Sequence, residues 1–260
     1  MKFNNKVDGK FNCNVNGKVD DVSDVSGSLD NTTGDAKLIF PTELAYILGL
    51  VMIALGASLM EKADFGMSMI VAPAYLIYLK MSEFFSFFSF GMAEYTLQGV
   101  LLLLMILVVR RFKISYLFSF VTAILYGFIL DGFMLLVSGI QEPGIALRIV
   151  LYIFGLFLGS LGVSLEFHTY ISPEVYELFV KEVSSKFNKN INKVKTCYDI
   201  CSCTFGIILS FSFFGLWVFK GVKWGTLVCA LINGTLIGLC TKFLEGTFVF
   251  KDALKLRRFF

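Results

Sequence analysis

Histidine is almost absent from this chain of 260 residues: His168 stands alone, which excludes any site that needs several imidazoles. Cysteine offers no framework either. Of six Cys, Cys13 lies in a polar N-terminal stretch and the others lie in or beside apolar segments, unlike the dense spacing of a disulfide scaffold. They read as reduced thiols that pack like small hydrophobes. Cys197, Cys201 and Cys203 cannot converge on one ion from a straight helix, because Cys203 points about 160° away from Cys201 at 3.6 residues per turn. No zinc-protease or phosphate-loop spacing occurs, and no nucleophile sits beside a general base. Neither a metal, a cofactor nor an enzymatic activity is therefore expected. Charge is scarce too. Only 17% of the residues are charged and the formal sum is +3; the basic ones form no stripe interleaved with aromatics, so nucleic acid is not an expected partner.

What fills the chain instead is apolar: 56% hydrophobic residues, 29 Phe and a mean hydropathy of +0.74, more than a water-facing surface carries. The lipid bilayer is the expected partner. Apolar runs at about 42–61, 92–109, 114–137, 145–166, 194–219 and 225–244 are each long enough to cross a hydrocarbon core of roughly 30 Å at 1.5 Å per residue. Pro41 opens the first, where a missing N–H costs nothing. Short polar breaks such as Arg110-Arg111-Phe112-Lys113 and Gln141-Glu142-Pro143-Gly144 force antiparallel neighbours. Residues 1–37 are polar, rich in Asn, Asp, Gly and Ser, and predict a disordered cytoplasmic tail without the apolar core of a signal peptide.

The chain repeats itself. Tyr46-Ile47-Leu48-Gly49-Leu50 and Leu55-Gly56-Ala57-Ser58-Leu59 return as Tyr152-Ile153-Phe154-Gly155-Leu156 and Leu161-Gly162-Val163-Ser164-Leu165. Val121–Gly127 returns as Val228–Gly234. The expected fold is an all-α membrane protein, a six-helix polytopic bundle of two three-helix repeats at 38–140 and 141–248, followed by a basic cytoplasmic C-terminus at 249–260. Lys and Arg fix the orientation by the positive-inside rule. With both termini cytoplasmic, 18 of the 23 basic residues lie inside and five outside. Three spans per repeat then make the repeats inverted.

Each repeat carries an extra segment after its first helix. Ser172-Pro173-Glu174 has a capping Ser, a Pro at the first helical position and an acid in the first turn. Val175, Leu178, Phe179, Val183 and Phe187 follow on one face, so residues 173–187 read as a helix lying in the membrane interface. Its counterpart, 67–79, is apolar, interrupted by Pro73 and too short to span; it reads as re-entrant or interfacial. Gly155-x-x-x-Gly159 and Gly234-x-x-x-Gly238 read as helix seams.

Ionisable groups in spans cost about 2.5 kcal/mol or more at the bilayer centre, so each needs a reason. Asp199, on a polar stripe with Ser202, Cys203 and Thr204, binds a cation, proton or amine, or else pairs with Lys195 one turn earlier. Gln98 and Asp199 are the expected substrate-binding residues near the midplane, with Glu94 and Asp131 as outer-side partners; a solvated helix end is the plainer reading of Asp131. Glu61 and Glu166 close the first helix of each repeat and read as paired gates or as headgroup-level acids. His168 beside Glu166 reads as a proton switch or an ordinary interfacial side chain.

Ile171-Ser172-Pro173-Glu174 after the fourth span, Lys193-Val194-Lys195-Thr196-Cys197-Tyr198-Asp199 at the start of the fifth and Lys223-Trp224-Gly225-Thr226 before the sixth together resemble the YczE/YyaS/YitT family of bacterial integral membrane proteins, over about residues 42–245. The resemblance implies a bacterial cytoplasmic membrane and about six spans. This chain departs from it at Phe65-Gly66-Met67-Ser68-Met69, where the family tends to carry Ser-Pro. Two functional readings follow: a secondary transporter or permease for a small solute or ion, rocking about a midplane site, and a non-transporting scaffold or regulatory partner. The second is favoured by the few midplane polar groups, and would use the tail to reach a protein partner or another copy of the chain.

Overall fold

The computed structural model describes residues 38–140, 143–189, 191–215 and 221–252. The stretch 1–37 and residues 253–260 of the basic C-terminus lie outside the described residues. In chain order the elements are β1 (Leu38–Pro41), α1 (Thr42–Ala63), α2 (Ala72–Met81), α3 (Phe90–Val109), α4 (Ile114–Ser138), α5 (Ile145–Glu166), α6 (Val175–Phe187), α7 (Ile191–Phe214), α8 (Trp224–Thr247) and β2 (Phe248–Lys251). All of the long helices, α1, α3, α4, α5, α7 and α8, are apolar enough to cross a membrane. The expected spans agree to within three residues at either end except at α7, expected to reach 219. It stops at Phe214, where Gly215 turns left-handed at φ 96°, a conformation that ends helices.

The two short strands pair in parallel, Leu38 opposite Phe248 through Pro41 opposite Lys251. Four residues are too few to show a strand's alternation, and the sequence gives no sign of them. They bring both ends of the described chain to one face of the bundle, called here the terminal face. Phe40 meets Phe248 and Phe250 edge to face, His168 stacks on Phe250 at 4.5 Å, and Thr42 donates to Asp252.

At the centre α1 crosses α5 along its length, and half of α1's span is buried against 11% of α7's. Glycines set the crossing. A β-carbon on Gly56 would stand 2.6 Å from the carbonyl oxygen of Gly155, and one on Gly155 2.8 Å from that of Gly56; Gly49 and Gly162 oppose each other in the same way at 3.0 and 2.7 Å. Gly49 and Gly155 hold aligned positions in the two repeats, as do Gly56 and Gly162, so equivalent positions exchange partners. That is the contact pattern of a two-fold axis. Gly159 only half fits its expected role: its backbone touches Gly56, but its own β-carbon would meet open space. Gly234 and Gly238 form no seam at all, since a β-carbon on either meets nothing within 4 Å.

The two short helices pack against the long ones: α2 on α3 and α7, and α6 on α3, α4 and α7. Val175 is fully buried and Leu178 nearly so, in a core with Leu102, Met105 and Tyr116. The N-terminal part of the α6 apolar stripe thus faces other helices, while Phe187 at its end is exposed. Helix α6 caps at Glu174, not Ser172, whose hydroxyl hydrogen-bonds Ser115 at 2.7 Å. Pro73, read as an interruption, lies in the first turn of α2, where proline is tolerated.

The glycine crossing makes a direct prediction. Gly56→Val forces a branched side chain onto backbone and should destabilise the bundle by about 1–3 kcal/mol, whereas Gly234→Ala should leave stability unchanged or raised, alanine being the better helix former. Thermal unfolding of the two purified variants in detergent checks this. Equal melting temperatures would remove the crossing as the organising contact.

Candidate functional site

A membrane-embedded helix end must find partners for its free N–H groups without water. Gln98 does this for α6. It is fully buried on α3, eleven residues or about 16 Å from the helix end at Val109, which is roughly half a bilayer core. Its Oε1 accepts from the Val175 N–H at 3.1 Å and its Nε2 donates to Glu174 at 3.2 Å. Tyr176 donates to the equally buried Glu94 at 2.7 Å. Thr122 donates to the Ser172 carbonyl at 3.2 Å, and Tyr46 hydrogen-bonds Thr122 at 2.7 Å. On the other side Ser202, eleven residues into α7, donates to the Met69 carbonyl at 2.9 Å just before α2 begins. Two half-helices thus start deep in the bundle, each held by a polar residue of a spanning helix.

Between them lies a chamber. One compartment of about 100 Å³ is lined by residues that include Tyr126, Ser160, Glu166, Glu174, Glu177 and Lys195. It adjoins another of about 320 Å³ that shares Ser68, Ile70, Lys195, Cys229, Asn233 and Ile237 with it and adds Asp199. The space exists because the halves differ: α3 packs along α4, whereas among the described residues the equivalent pair, α7 and α8, shares no extended contact. Gly234 lies on this gap.

Its acids are incompletely paired. Glu166 and Glu174 are 4% and 7% exposed, and Oε1 of each is buried without a hydrogen-bond partner, as are Glu94 Oε1, Tyr126 Oη and Asp199 Oδ1. Lys195 is engaged by Glu177 at 2.8 Å. No three His, Cys, Asp or Glu side chains among the described residues converge to hold a metal ion.

The sequence candidates fall into three places. Glu94 and Gln98 sit at the buried end of α6, and Glu166 and Asp199 line the chamber. Glu166, the last residue of α5, is buried against α1, where a β-carbon on Gly49 would stand 3.0 Å from its Cγ. Asp199 does not pair with Lys195, because that amine is bound to Glu177 across the chain. Asp131 caps α3 instead, accepting from Ser89 and from the Gly91 N–H, away from the chamber. Glu61 accepts from Tyr75 at 3.3 Å at the opposite face, beside Asp64, which bridges Arg148 and Lys223. Sequence reasoning missed Glu174 and Glu177, because it read residues 173–187 as a helix lying in the membrane interface and looked for sites in the spans. The signal was there in Ser172-Pro173-Glu174, which marked a helix start without marking its depth.

The DUF6198 sequence pattern, that of a family of unknown function, matches residues 40–242. The chain belongs to the DUF6198 family. No curated protein and no solved structure matches it. The family match runs from β1 through most of α8, so the half-helices, the glycine crossing and the chamber all lie within the DUF6198 unit.

Proposed function

We propose that this DUF6198 protein is a secondary transporter of a small solute, built from inverted repeats, with its solute site in the chamber between α7 and α8. The observation that carries this is the pair of buried carboxyls, Glu166 and Glu174, each with one oxygen that lacks a hydrogen-bond partner, among the residues that line a cavity at the end of a half-helix. Binding sites of inverted-repeat transporters lie at such discontinuous helices near the bilayer centre. The reciprocal glycine contacts support the inverted relation. At the face away from the strands, α1, α5 and α8 are tied together. Asp64 bridges Arg148 and Lys223, Gly225 N–H donates to the Phe65 carbonyl at 2.9 Å, and Phe65 packs edge-on against Tyr152. On this reading the clasp is the closed gate, and the α7–α8 gap is the open approach.

We assign the terminal face to the cytoplasm of a bacterial cell membrane, from the excess of Lys and Arg on that side. The scaffold reading loses its main support, since Glu94, Gln98, Glu166 and Glu174 supply the buried polar groups whose scarcity favoured it.

Reconstituted vesicles screened with a panel of small solutes should show protein-dependent flux that Glu166→Gln and Glu174→Gln each abolish and that Cys197→Ser, at an exposed thiol, leaves intact. Flux indifferent to both acids would move the site elsewhere. A fluorescent protein fused after Phe260 should be bright and an alkaline phosphatase fusion inactive; the reverse would invert the orientation.

A further inference from the structure

The two unpartnered acids say what kind of solute the chamber takes. We propose that the chamber binds a small organic cation, an alkylammonium ion whose head is held by Glu166 and Glu174 and whose short hydrocarbon body lies on the apolar wall. This deepens the transport reading and rests on it for the site's location. A carboxyl oxygen buried without a donor is incomplete, and an ammonium supplies three N–H donors from one atom. Much of the smaller compartment's wall is hydrocarbon, with Ile53, Ala57, Leu156, Val163 and Ile237 among its lining beside the hydroxyls of Tyr126 and Ser160. Its volume of about 100 Å³ suits a compact amine.

Other ligand classes fit worse. Ca²⁺ takes six to eight oxygens and Mg²⁺ an octahedral shell, and no such convergence exists among the described residues. An anion would meet Glu166, Glu174 and Glu177, while Lys195, the basic residue on the wall, is committed to Glu177. A neutral apolar solute leaves the acids unpaired. Along the larger compartment Asp199 Oδ1 is a further buried acceptor without a partner, a staging point for the same charge.

The test is equilibrium binding of radiolabelled n-butylammonium to the purified full chain in detergent. Saturable binding is expected, displaced by other short primary amines and not by sodium butyrate. Glu166→Gln and Glu174→Gln should each weaken it at least tenfold. Should those variants misfold, Gly234→Leu tests the same idea, since its side chain enters open space at the gap and should reduce binding several-fold while the protein stays folded. Absence of saturable binding, stronger binding of butyrate, or unchanged affinity in the folded variants would overturn the proposal. If butylammonium binds as expected but vesicles show no flux, the cation site stands and transport falls. If vesicles carry another solute and butylammonium does not bind, transport stands and the cation site falls.

Discussion

The structure depends on how closely α1 and α5 approach. Without a hydrophobic drive between helices in lipid, association rests on backbone contact and packing, and four glycines provide it: Gly49 against Gly162, Gly56 against Gly155. That crossing fixes the spacing of everything around it. Helix α4 lies against α1 and α8 against α5, and the short helices fill what remains. A larger residue at any of the four positions would push apart the walls that carry Tyr126, Glu166 and Glu174.

The half-helices follow from the same constraint. A chain that turns back inside a bilayer exposes backbone groups that only protein can satisfy. Gln98 and Ser202 meet that need from α3 and α7. In doing so they bind each short helix to spans of both halves, so the two repeats are interleaved. Burying an acid at the start of α6 has a cost, which the Gln98 hydrogen bond offsets only for one oxygen of Glu174. The oxygen left over has no partner, and Glu174 lines the cavity.

Much of this was legible in sequence. Hydropathy marked all the spans, because a membrane-crossing helix announces itself by the length of its apolar run, whereas of the glycines read as seams Gly155 alone takes part in the close crossing on both sides. Depth was not legible. The α6 stripe of Val175, Leu178 and Phe179 looks the same whether it faces lipid or Leu102 and Met105, and periodicity cannot tell the two apart. Asp131 misled for a related reason: an acid near a span end reads as a site, while the N–H groups it caps belong to a helix 40 residues away. Glu94 and Gln98 stood out because polar residues inside an apolar run demand partners, and the partners they have are Tyr176, Glu174 and the Val175 N–H at the buried end of α6.

The short strands have a mechanical consequence. Helix α8 is fastened to α1 at both ends, by the β1–β2 pairing below and by the Asp64–Lys223 and Phe65–Gly225 contacts above. It is therefore a doorpost. Among the described residues helix α7 packs on α2 and α6 and shares no extended contact with that post, so on the transport reading any widening or narrowing of the doorway falls to α7 and the two short helices it leans on.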